Sequence, residues 1–290
     1  MAIANGMNRF RGLLSDFVFY TRGKKQVVRK KATSYKLSEN TIKSGRDFGE
    51  ATRNASYLRK AFKSLVKHYG NDDFHNRLNK NFTRVFNSIP SEMLGNKHLS
   101  QGNLKLLEGF QFNTGRKFAS LCYARLGLNI DPAGFITFTW EKPKDEHFFK
   151  RVPNATRTYI QMMVFQYDLD DGGQYECIRL NDLVIEPGKP IDPKISLKLE
   201  VDLTGEKALI VAAGIYHDTK GTRSYDKRYF GCTITHALHL NEGVEVPFAE
   251  VKEEKIKDKE ETGVGTWGGS LEVGTADSKP IYEKSRRPID

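Results

Sequence analysis

The sequence predicts an α+β protein: an N-terminal β-hairpin and helical segment, then an antiparallel β-sandwich-like domain, then an extended C-terminal arm. Three observations predict it. Between residues 46 and 89 the apolar residues recur at steps of three and four, as one face of a helix requires. From Phe110 the period changes to two, and six or more strand-like runs follow with no helical pattern between them, which favours antiparallel pairing over a βαβ fold. After Pro247 the apolar pattern stops and a mixed-charge, Gly-containing stretch begins. These changes divide the chain into 1–35, 36–109, 110–247 and 248–290.

The first element is carried by FVFYTRGKKQVVRKK, Phe17 to Lys31. Two β-prone runs, Phe17–Tyr20 and Gln26–Arg29, flank a turn centred on Gly23, which reads as a short hairpin. An isolated two-stranded hairpin is marginal in water. This one therefore has to lean on the rest of the fold or on another molecule.

A helical pair follows. In Arg46–Lys67 the positions Phe48, Ala51, Ala55, Leu58, Phe62, Leu65 and Val66 line one face. Asn71-Asp72-Asp73 supplies cap chemistry for a second helix whose face is Phe74, Leu78, Phe82, Val85, Phe86 and Ile89, and Pro90 closes it. Ser100–Glu108 predicts one more short helix.

In the β region, Ile136, Phe138 and Trp140 alternate with Thr137 and Thr139. The run Tyr159–Tyr167 is apolar on both faces and belongs in the middle of a sheet. Ile195–Leu203 alternates strictly and reads as a half-exposed strand. Thr204-Gly205-Glu206 is expected to turn it into the buried strand Lys207–Tyr216 as a hairpin, and Phe230–Leu240 completes the series. The charged run Glu250–Glu261, the Gly-rich piece around Trp267 and the ending SRRPID read as an arm or tail.

At 38% hydrophobic and 11% aromatic, the 290 residues can bury a sizeable core. The formal net charge is +10, and residues 1–110 hold 21 Lys/Arg against 8 Asp/Glu, so the whole excess lies in the first third. The remaining 180 residues are mildly acidic, at −3. A basic segment of this kind attracts nucleic acid or an acidic protein surface. Cys122, Cys177 and Cys232 form no CxxC pair, which argues against a disulfide framework and fits a reducing compartment. The N-terminus lacks the apolar core of a classical secretory signal, and no apolar run approaches the roughly 20 residues that span a bilayer. The expected location is cytoplasmic or within a phage-like particle, with no membrane partner.

The chemical templates each find a weak match. Gly263-Val-Gly265-Thr-Trp-Gly268 fits GxGxxG, but a charged run precedes it where a dinucleotide site needs a strand. Asp168-Leu-Asp170-Asp171-Gly172-Gly173 suggests a calcium loop, yet the position that should hold its last Glu is Arg179, and a β-turn is the better reading. Cys232 and His236 share a face of one strand about 13 Å apart at roughly 3.3 Å per residue, and His239 points the other way. His217-Asp218 falls in a predicted loop with no activated Ser or Cys motif beside it. No catalytic, cofactor-binding or metal-ligating residue is assigned.

The strongest functional lead is the hairpin itself. Arg22, Lys24, Lys25, Arg29, Lys30 and Lys31 cluster there, with Phe17, Phe19 and Tyr20 interleaved. Such a ribbon can grip phosphates and stack bases, or serve as a contact between protein copies. Trp267 is the corresponding contact candidate in the C-terminal arm. The plainer reading of the same cations is an edge strand protected against unwanted pairing.

Several segments, in order from about Gly12 to Leu240, resemble a family of uncharacterised Bacteroidota proteins of similar length. SDFVFYTRGKKQVVRKK resembles that family's pattern of a VFY-like strand, a Gly-Lys turn and a VR-x-K strand. RDFGEATRNASYLRKAF resembles its following helix. GFQFN, Gly109–Asn113, resembles its entry into the β region, and ALIVAAGIYHDTKG its late buried strand. Ser15-Asp16 departs from the pattern, where Gly is commoner, and the tail after Pro247 is an addition. The resemblance implies no activity and no catalytic residues.

Taken together, the sequence leads to the expectation of a non-enzymatic structural protein. It would bind copies of itself, or join a tube, filament or phage-tail-like particle, through its terminal arms. The alternative is a nucleic-acid-binding protein that uses the basic N-terminal third.

Overall fold

In the computed structural model, residues 2–4, 10–23, 25–32, 34, 36–67, 74–131, 133–141, 143, 147–170, 174–186, 189 and 194–249 are described. The chain opens with strands β1 (Ala2–Ala4), β2 (Phe10–Leu14), β3 (Phe17–Arg22) and β4 (Lys25–Lys30). They pair antiparallel in the order β1-β2-β3-β4. The expected two-stranded hairpin is thus the outer half of a four-stranded sheet. Ser15 makes the β2–β3 turn at φ +51° and Gly23 begins the β3–β4 turn at φ +62°, a region that glycine enters without strain and serine does not.

Helix α1 (Glu39–Ala61) starts seven residues before the predicted Arg46, because Ser38 provides an N-cap whose side chain accepts a hydrogen bond from Thr41 N. Its buried face is Asp47, Ala51, Asn54, Ala55 and Leu58. Phe48 is 57% exposed, which corrects its assignment to the core face. The apolar period tolerated Phe48, but the buried stripe runs through its neighbour Asp47 instead. That carboxylate accepts backbone N–H groups from Gly95 and Lys97 at 3.0–3.4 Å, tying the helix to a distant loop. The helix breaks at Phe62, a short α2 (Lys63–Val66) continues, and α3 (Phe74–Asn87) follows. In α3 and just after it, Leu78, Phe82, Val85, Phe86 and Ile89 are buried as their spacing requires. The proposed cap residues 71–73 lie outside the described residues. Ser100–Glu108 forms two 3-10 turns, Leu99–Gln101 and Leu104–Leu107, rather than one short helix.

The β region comprises β5 (Arg125–Asp131), β6 (Phe135–Glu141), β7 (Ala155–Asp168), β8 (Tyr175–Arg179), β9 (Leu183–Ile185), β10 (Lys194–Glu200), β11 (Glu206–Thr219), β12 (Thr222–Arg223), β13 (Gly231–Asn241) and β14 (Val244–Glu245). All its pairings are antiparallel. A large sheet has the order β14-β13-β11-β7-β8, with β9 also on β7 and β12 on β11, and a second sheet has the order β10-β6-β5.

Alternation along the central strands explains why they are apolar on both faces. Ala208, Ile210 and Ala212 of β11, with Met163 and Phe165 of β7, join one core with Leu58, Phe62, Phe82 and Val85 of the helical region. Leu209, Val211 and Ala213, with Met162 and Val164, join a second core with Ile136, Phe138 and Trp140 of β6. The large sheet is therefore covered by helices on one face and by the three-stranded sheet on the other.

One connection differs from the sequence expectation. Residues 195–203 and 207–216 do not form a hairpin: β10 pairs with β6, whereas β11 pairs with β7 and β13. Residues 201–205 carry the chain from one sheet to the other. Val201 and Leu203 are buried on the way, Asp202 Oδ1 accepts from Thr204 N at 3.0 Å, and Gly205 turns at φ +74°. A Thr-Gly-Glu turn signal is the same for a hairpin as for a layer change; only the partners of β11 distinguish them.

Candidate functional site

The predicted contact residues fall on the N-terminal sheet, and register sorts them. Opposite residues in an antiparallel pair project to the same face. Leu14 lies opposite Phe17, and Phe17 opposite Lys30; Gly12 lies opposite Phe19, and Phe19 opposite Val28. One face therefore holds Phe10, Leu14, Phe17, Phe19, Val28 and Lys30. Phe10 and Phe19 meet edge to face with centroids 5.9 Å apart, and Gln26 Nε2 donates across this face to Phe10 O at 2.7 Å.

The other face holds Arg11, Leu13, Val18, Tyr20, Arg22, Lys25, Val27 and Arg29. Leu13 opposes Val18, Val18 opposes Arg29, Tyr20 opposes Val27, and Arg22 opposes Lys25. The Arg29 guanidinium lies 5.9 Å from the Tyr20 ring centroid. The cations and aromatics that look interleaved in the sequence are thus largely separated: Phe17 and Phe19 on an apolar face, and Arg22, Lys25 and Arg29 around Tyr20 on a basic one. Lys31 follows β4, its backbone N–H donating to Asp16 O at 2.6 Å. Lys24 and Trp267 lie outside the described residues.

No described side chain from residues 10–32 is buried, and none belongs to either core. Leu14 is 54% exposed and Phe17 49%. Phe10, Leu14, Phe17 and Val28 are thus exposed together on one face of the sheet.

The other candidates resolve as parts of the scaffold. His217 is in strand β11 and only 2% exposed, not in a loop. Its Nδ1 is 2.8 Å from Thr158 Oγ1, and burial pushes its pKa down to about 4, against smaller opposing effects of the Tyr229 backbone and Asp218. A β-bulge in β13 pairs Ile234 with Ala212 but His236 with Val211. The extra residue, Thr235, turns His236 to the face opposite Cys232, which corrects the expectation that the two share a face. His239 pairs with Glu206 Oε1 at 2.7 Å. Asp168 Oδ1 accepts from Asp170 N at 3.0 Å and its Oδ2 pairs with Lys207 at 2.6 Å, so the start of this segment is a turn between β7 and β8; residues 171–173 lie outside the described residues. No group of His, Cys, Asp and Glu among the described residues could hold a metal ion. Residues 263–268 lie outside them.

Burial pushes the Cys122 thiol up to about 12 and the Cys177 thiol to about 11, and it also holds the Cys232 thiol well above its usual value. Thiols held in this way are poor nucleophiles. Tyr159 and Tyr216 stack at 4.8 Å, and their hydroxyls donate to Asp218 and Asp182 at 2.7 and 2.6 Å. That arrangement latches strand ends together rather than activating either group. A cavity of about 900 Å3 opens beside β9, lined by Phe148, Phe149, Lys150, Arg151, Glu186 and Lys189 among others. Its carboxylate, Glu186, is shared between Lys189 and Arg157.

No helix among the described residues is long and apolar enough to cross a membrane. Comparison with protein-family models and with curated proteins finds no match.

Proposed function

We propose that this chain is a non-enzymatic structural subunit that assembles with copies of itself, or into a larger tube, filament or phage-tail-like particle, through its N-terminal sheet. The observation that carries this reading is the apolar face of Phe10, Leu14, Phe17, Phe19 and Val28 on a sheet that contributes no described side chain to either core. Covering each such side chain is worth about 1–2 kcal/mol, and the edge of β4, which no described strand pairs, offers a further row of backbone groups to a neighbour. In this reading the body is sandwich-like, its three-stranded sheet laid over one face of the large sheet, and acts as a rigid scaffold. The C-terminal arm with Trp267 is a second contact in the same scheme. Membership of the Bacteroidota family that the motifs resemble would add no activity to it.

Sedimentation velocity and negative-stain microscopy of the full chain across a concentration series test the proposal. Wild-type protein should grow in size with concentration, and Phe17→Ser/Phe19→Ser should remain small while keeping its far-UV circular dichroism. A monodisperse wild-type monomer at every concentration overturns it.

The basic face supports one other reading, a nucleic-acid-binding surface built from Arg11, Arg22, Lys25 and Arg29. Nuclease-treated protein that shifts an oligonucleotide, with affinity falling steeply as salt rises, would favour that reading.

A further inference from the structure

The assembly proposal leaves open what the basic face of the N-terminal sheet meets. That face carries four cations, Arg11, Arg22, Lys25 and Arg29, and no carboxylate among its described residues. Two such faces repel each other, so a symmetric contact between them is disfavoured and an acidic partner is required.

The chain carries that partner itself. The −3 balance of residues 111–290 looks diffuse in the sequence, but the fold concentrates carboxylates at one end of the β region. The crossover at 201–206 is the hub. Val201 N donates to Gly134 O at 2.9 Å, which brings the β5–β6 turn and Asp131 alongside Glu200 and Asp202. Glu206 N donates to Asp170 Oδ2 at 3.0 Å, bringing in the β7–β8 turn. Gly205 N donates to Glu242 Oε1 at 3.1 Å, bringing in the turn after β13. With Asp168 and Glu206, seven carboxylates are gathered on four adjoining segments. Among the described residues Lys207, which pairs with Asp168 at 2.6 Å, Lys198, which lies over the Phe135 ring at 3.7 Å, and His239, which pairs with Glu206 at 2.7 Å, accompany them. Asp131, Asp170, Glu200, Asp202 and Glu242 are exposed.

Resting on the assembly reading, we infer that the occupant of the basic sheet face is a second copy of this chain, presenting the acidic turn end of its β region. The two surfaces differ, so the contact is head-to-tail. Each copy then offers one free basic face and one free acidic end, and the contact propagates into an open filament or closes into a ring.

Charge reversal in the full chain tests this. The sheet variant is Arg22→Glu/Lys25→Glu/Arg29→Glu. The end variant is Glu200→Lys/Glu242→Lys, with Glu200→Gln/Glu242→Gln as a milder form; circular dichroism checks that each is folded. At low salt, sedimentation velocity should show each reversed variant alone associating at least about tenfold more weakly than wild type. A one-to-one mixture of the sheet and end variants, or all five substitutions in one chain, should restore association. If wild type does not associate at any concentration, the assembly reading itself falls. If the sheet variant dissociates while both end variants assemble like wild type, assembly stands and this docking is wrong. Failure of both rescues overturns the docking too, as does a sheet variant that loses oligonucleotide binding but assembles normally.

Discussion

Removing residues 1–36 should leave the body of the protein almost as stable as before while abolishing its association. The cut keeps Ser38, whose side chain caps α1, and removes a sheet with no described side chain in either core. The cores that hold the body together, around Phe62 on one side of the large sheet and Trp140 on the other, lose no member. On that basis the deletion changes body stability by less than about 1 kcal/mol, which for a body of this size is a shift in Tm of about 2–4 °C or less. Differential scanning calorimetry at low concentration reads the shift, and sedimentation velocity reads the loss of association in the same samples. Phe62→Ala, which empties a fully buried site, provides the scale: it should cost about 3–5 kcal/mol. A truncated chain that melts as far below wild type as the Phe62→Ala variant, or without a cooperative transition, would mean that the sheet belongs to the core and that its apolar face is an intramolecular one.

Three further outcomes follow from single sites. Asp47→Ala removes the acceptor for Gly95 N and Lys97 N and should cost about 2–4 kcal/mol in urea unfolding, with little change in slope. Gly231→Ala would place a methyl 2.9 Å from the backbone Cα of Phe118 and should destabilise by about 2–3 kcal/mol, because a backbone atom cannot rotate away as a side chain can. The pKa of His217, about 4 in the fold, lies below its unfolded value near 6.5, so the unfolded chain takes up the proton first as pH falls. Stability present above pH 6.5 is then lost progressively down to about pH 4, by about 3 kcal/mol, and His217→Asn should lack this component when the two are compared by urea unfolding at pH 7 and pH 4.

How much was legible in the sequence depended on the range of the interaction. The α3 face, from Leu78 to Ile89, and the alternation of Ile136, Phe138 and Trp140 are written in local periodicity, because a helix or strand repeats its geometry every few residues and a buried stripe must follow it. The α+β class, the antiparallel β region and the basic first third were readable for the same reason. Phe48 was misassigned because periodicity gives an apolar stripe but not its edges; those are set by what packs against the helix. The bulge at Thr235, which turns His236 away from Cys232, has no signal in its own residues.

The candidate site shows the same division. Its residues Phe17, Phe19, Tyr20, Arg22, Lys25, Arg29 and Lys30 could be named from composition, since a dense run of cations beside aromatics within one short β-prone stretch is visible in amino-acid order alone. That two further strands extend the sheet, and that Phe17 and Phe19 lie on the face opposite Arg22, Lys25 and Arg29, depends on which residue of β2 meets which residue of β3 and β4. The acidic end depends on turns separated by more than a hundred residues being drawn together by hydrogen bonds to one crossover. Amino-acid order determined what each segment is by itself. The pairing of distant segments, whose free energy comes from burying one against another, decided which charges and which aromatic rings became neighbours.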